Sequence, residues 1–159
     1  MTRLAAGRIL ITVVLTVSTT LSFVLDWSPN HLLNPLWHPH ARFHGALLLF
    51  LLAGVSATAI WQMWRKSCEP EVALRTASLL SLSFWTPLFY ITSLLEGSTS
   101  WAGAAERDPR LAGSLFTPNL GVAALFALLS MAGIWLSLAA ARPTSGKADN
   151  PSPASGKCR

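Results

Sequence analysis

All four histidines of this 159-residue chain fall within fourteen positions, His31 to His44, in the run HLLNPLWHPHARFH. Imidazole binds metal ions and exchanges protons near neutral pH, so chemistry would collect here if anywhere. His40 and His44 are four apart, and on a helix that spacing puts both rings on one face, where they can meet one cation. Pro39 suits the first position of such a helix, because its missing N–H is not needed there and its φ is already helical. Three readings compete. The first is a metal site, signalled only weakly, because Ala41, Arg42 and Phe43 stand where a zincin helix carries its glutamate. The second is an acid/base site, with His40 or His44 working beside a carboxylate. The third is a set of residues at headgroup depth, where Trp27, Trp37 and Trp101 would form an aromatic belt.

The elements that must position these residues follow from hydropathy. The chain is 52% hydrophobic and 12% charged, about half the charge of an ordinary soluble domain. Four apolar runs, 9–25, 43–64, 76–95 and 120–141, approach or reach the roughly 20 residues that cross a bilayer. The expected fold is all-α, a four-helix transmembrane bundle whose third helix is kinked at Pro87. That third run is also the polar one, with Ser78, Ser81, Ser83, Thr86, Tyr90, Thr92 and Ser93 suited to close helix packing. Tyr90 is the one ionisable residue deep in any run, which argues against a proton-coupled pump.

Charge sets the orientation. Arg3, Arg8, Arg65, Lys66, Arg75, Arg142, Lys147, Lys157 and Arg159 fall on one side, and Arg42, Arg107 and Arg110 on the other. Lys and Arg are retained on the cytoplasmic side, so both termini are expected there, with the protein integral to a plasma (inner) membrane and the histidines on the outer face. Clusters at helix ends also account for the basic balance without nucleic acid. Arg3 and Arg8 ahead of a short apolar stretch equally describe a signal peptide, whose removal would leave three spans and the same loops. Cys68 and Cys158 are expected to be reduced thiols on the cytoplasmic side, and residues 143–159, rich in Pro, Ser, Gly and Lys, to form a disordered cytoplasmic tail.

This topology carries Asp26 and Glu96 to the outer surface. The expected constellation is Asp26, His40, His44 and Glu96, with His31, Asn34, Trp37, His38 and Arg42 as further binding residues. His40, His44 and Glu96 are the catalytic candidates, and His40 and His44 the metal ligands. The function that fits is a membrane module binding a metal ion, a lipid headgroup or a partner, the partner being a second copy or another membrane protein. The alternative is a small membrane enzyme doing His/Glu acid/base chemistry on a hydrophobic substrate.

Through His31, Asn34, Pro35, Trp37, Pro39, His40, Phe43 and His44, the sequence resembles a family of small four-span integral membrane proteins of unknown function. In that family an HxxNPxWxPHAxFH segment joins the first two helices. The resemblance implies a topology and adds weight to these residues, and it implies no reaction. In layout alone the chain is also similar to sterol-isomerase-like bundles that use His and Glu near a lipid substrate, an analogy of fold only.

Overall fold

The structure is a computed structural model that describes residues 2–96, 98 and 117–141. Trp101, Arg107, Arg110, Cys158 and the tail 143–159 lie outside the described residues. Helix α1 spans Arg3–Asp26, and the Thr2 hydroxyl caps it by accepting from the Ala5 N–H at 3.2 Å. Helix α2 runs Pro39–Trp64 and α3 Pro70–Trp85, each with proline in its first turn, where no donor is lost. A 3-10 turn, Thr86–Phe89, and one short helix, α4, Ile91–Leu94, follow α3, and α5 spans Pro118–Ala141. Four helical stretches, Arg3–Asp26, Pro39–Trp64, Pro70–Phe89 and Pro118–Ala141, are long and apolar enough to cross a membrane. No strand occurs among the described residues. At Pro87 the structure shows a change of helix type: the α-helical ladder ends at Trp85, because proline has no N–H to continue it.

The packing is uneven. Helices α1, α3 and α5 touch one another, whereas α2 lies against α1 and α3 and makes no contact with α5. Small residues set the close side. A Cβ on Gly133 of α5 would lie 2.5 Å from both Ile11 Cδ1 of α1 and Ser78 Oγ of α3, so only glycine fits at this three-helix contact. Beside it the Ser130 hydroxyl donates to Ser81 Oγ at 2.8 Å, and Trp85 stacks on Phe126 with centroids 4.9 Å apart. Thr19 of α1 donates to Ser56 of α2 at 2.9 Å. Hydroxyls satisfied across or within helices are what apolar surroundings require.

The basic residues tie one end of the bundle together. Arg3 Nη1 donates to the Ala139 carbonyl at 3.3 Å, placing a cation at the negative end of the α5 dipole. Arg8 lies 5.9 Å from the centre of the Trp64 ring, whose Nε1 donates to Thr12 Oγ1, and Arg75 Nε donates to Ser137 Oγ at 3.4 Å. The start of α1 and the end of α5 therefore share this end, and the α1–α2 loop is at the other. In one respect the structure corrects the sequence reading. Cys68, in the α2–α3 connection, is disulfide-bonded, where reduced thiols were expected. That expectation rested on an assigned compartment, and thiol pairing depends on which segments the fold brings together.

Candidate functional site

The loop between α1 and α2 is built from local bonds that consume most of its polar groups. The N–H groups of His31 and Leu33 both donate to the Ser28 carbonyl, and that of Leu32 reaches back to the Asp26 carbonyl. Asn34 Oδ1 accepts from the Leu36 N–H at 2.9 Å, a side-chain turn across Pro35. Leu32 is buried beneath this frame against Gly45, where a Cβ would meet Leu32 Cδ2 at 2.5 Å. Arg42 Nε donates to the Leu32 carbonyl at 2.7 Å and fastens the loop to the first turns of α2. His38 is the N-cap of α2, its Nδ1 accepting from the His40 N–H at 3.2 Å.

The histidines thus separate into groups with different work. His31 turns inward: its Nδ1 lies 3.6 Å from Asp26 Oδ1, and its ring centre 4.5 Å from that of Trp37. His40 and His44 turn outward together. Both are exposed, their Nε2 atoms stand 3.0 Å apart, and their rings meet edge to face at 89°. A neutral pair can share one N–H···N hydrogen bond at this distance. The same two nitrogens can also ligate one ion: with bonds of about 2.0–2.1 Å, a 3.0 Å separation corresponds to an angle of roughly 90–100° at the metal.

Of the residues singled out in the sequence, the structure brings together His40 with His44 and Asp26 with His31. It does not gather Asp26, His40, His44 and Glu96 into one constellation. Among the described residues no three of His, Cys, Asp and Glu converge as a metal-holding group. Glu96 is exposed beyond α4, and among the described elements α4 packs against the preceding 3-10 turn. Asn34, Trp37, His38 and Arg42 serve the loop's own architecture. Sequence reasoning missed Leu32 and Gly45; an apolar residue inside a polar loop, paired with a glycine one helical turn after Arg42, was the available signal.

Among the described residues, one cavity lies under this loop and another in mid-bundle, and none of the four histidines lines either. One of about 290 Å³ sits in mid-bundle among α1, α2 and α3, bounded by Leu15, Leu52, Ser56, Ser81 and Trp85. The other, of about 340 Å³, lies under the loop among Trp27, Leu32, Arg42 and Phe43. No curated protein and no solved structure matches the chain. A model of a protein family, DUF6640, described as a family of unknown function, matches residues 10–149. That match takes in most of the sequence, from the first turns of α1 to beyond the end of α5, and the chain therefore belongs to DUF6640, a family of unknown function.

Proposed function

We propose that this protein is a membrane-embedded cation-binding module whose ligands are His40 and His44, at the outer end of α2. The observation that carries the reading is the exposed pair of Nε2 atoms 3.0 Å apart. Imidazole nitrogens suit late first-row divalent ions such as Zn²⁺, Cu²⁺ and Ni²⁺. The neighbouring Asn34, His38 and Arg42 bond within the loop, whereas the His40 and His44 rings meet each other. Acid/base catalysis on a hydrophobic substrate would need a pocket reaching the rings, and the two cavities nearby are lined by other residues.

The orientation that accompanies this reading puts the Arg-rich end in the cytoplasm of a plasma (inner) membrane and the histidines outside. The Cys68 disulfide pulls the other way, since cytoplasmic thiols are kept reduced. The charges outweigh it, because Arg3, Arg8, Arg65, Lys66 and Arg75 act together in setting topology and a single bond does not. Titration of chelator-treated, detergent-purified protein with Zn²⁺ tests the ligand assignment. Saturable uptake is expected in the wild type and in His38→Asn, which keeps a cap on α2. It should be lost in His40→Ala and in His44→Ala. No uptake by the wild type, or equal uptake by the variant lacking both rings, would overturn the reading.

A further inference from the structure

Two imidazoles are an incomplete coordination sphere, since structural zinc sites take four protein ligands. Where the missing two would come from is indicated by the face of α2 that carries the pair. His40, His44, Leu47, Leu51, Gly54, Thr58 and Trp61 recur at alternating steps of four and three, and every one of them is exposed. At about 100° per residue they form one stripe, largely on the side of α2 away from its buried residues Leu49, Leu52, Ser56, Ala59 and Met63, with Leu51 and Thr58 also edging cavities shared with α3. Spacing of 3.5 residues is the pattern by which two helices pack along a seam.

Gly54 lies in the middle of this stripe. Gly7, Gly45 and Gly133 each make room for a neighbouring side chain of the same chain, but a Cβ on Gly54, like one on Gly121 near the start of α5, would meet nothing within 4 Å. Glycine in mid-helix weakens a helix by roughly 0.5–1 kcal/mol relative to alanine, and nothing within this chain uses the space it leaves. Thr58, one turn on, returns its hydroxyl to the Gly54 carbonyl at 2.8 Å and so presents no unsatisfied group. Glycine and threonine four apart let two membrane helices approach closely.

We propose that two copies of the protein pair in parallel along this face of α2, with His40 and His44 of each copy binding one late first-row divalent cation between them. A parallel two-fold arrangement sets each position against its own counterpart. Close approach at Gly54 would therefore bring the two histidine pairs together at the same end, completing a four-nitrogen site that neither copy holds alone. This inference rests on the reading of His40 and His44 as ligands.

The test measures mass and metal content together, in lipid nanodiscs or mild detergent, with Zn²⁺ as the probe. The expected result is a dimer holding one Zn²⁺ per two chains. Gly54→Leu, which meets open space within the chain, should give a folded monomer with at least tenfold weaker Zn²⁺ binding. Leu47→Trp, higher on the same stripe, should act in the same direction and guards against a folding defect at position 54. A wild-type monomer binding one Zn²⁺ per chain would overturn the four-histidine site and leave the two-histidine reading intact. Absence of Zn²⁺ uptake would overturn both, even if a dimer sensitive to Gly54→Leu were found. Zn²⁺ binding unchanged by Gly54→Leu and Leu47→Trp would also overturn the shared site.

Discussion

Helices α2 and α5 are of similar length and are both strongly apolar, yet the bundle uses them differently. In the most apolar stretch of α5, 39% of residues are buried within the protein, against 22% in α2. Helix α5 presents Ala123, Ala127, Ser130, Gly133 and Ser137 to its neighbours, and most of its contact comes from residues small enough to let backbones approach. Helix α2 keeps Leu47, Phe50, Leu51 and Trp61 on its surface. In lipid an exposed leucine costs nothing, so hydropathy decides only that a helix enters the membrane. Which helix it touches is decided by small residues and by hydrogen bonds. Gly133, at the middle of α5, is filled by its neighbours, whereas Gly54 at the middle of α2 is open, as is Gly121 in the first turn of α5.

The largest effect should come from filling the tight contact. Gly133→Leu places side-chain atoms where Ile11 and Ser78 already stand, and overpacking of this kind costs about 1–3 kcal/mol or more. Unfolding in detergent, followed by circular dichroism, should show a clear loss of stability, while Gly54→Leu should leave the monomer's stability within about 0.5 kcal/mol. Equal losses at the two positions would erase the distinction between the helices.

Next comes the loop. Arg42→Ala removes the bond to the Leu32 carbonyl, and charge-assisted bonds contribute about 1.5–3 kcal/mol. Because the fastening is local, the expected outcome is faster proteolysis between residues 27 and 38 with little change in global unfolding. Ser130→Ala should have a smaller effect, about 0.6 kcal/mol, the average for hydrogen bonds between membrane helices. Its partner Ser81 can turn to a backbone carbonyl. Reduction of the Cys68 disulfide serves a different comparison, between the two ends of the bundle, because it reports orientation. After reduction, a membrane-impermeant maleimide should label Cys68 only from the cytoplasmic face, and labelling from outside would invert the topology.

The four membrane-length helices were legible in the sequence because hydropathy over 20 residues is a strong signal, and Pro39 marked the start of α2 through its backbone chemistry. The approach of His40 to His44 follows from helical periodicity alone. What could not be read was long-range. Asp26 comes to 3.6 Å from His31 because the turn bonds to the Asp26 and Ser28 carbonyls fold the chain back at the end of α1, and no periodicity encodes that return. The α-helical ladder stops before Pro87, although the apolar run continues to residue 95, so the single long helix expected to end at Glu96 is instead three helical pieces. The Cys68 bond was misjudged because a compartment was inferred first and the thiols were assigned from it. Arg42 was read as a binding residue from its place in the motif, and the bond of its Nε to the Leu32 carbonyl could not be read from the sequence.

The central claim is that His40 and His44 share one ion, and electron paramagnetic resonance of Cu²⁺-loaded protein tests it most directly. The account predicts a spectrum with coupling to imidazole nitrogens in the wild type and in His38→Asn, losing at least one coupled nitrogen in His44→Ala and all of them in the variant lacking both His40 and His44. The same nitrogen coupling in that double variant as in the wild type would contradict it.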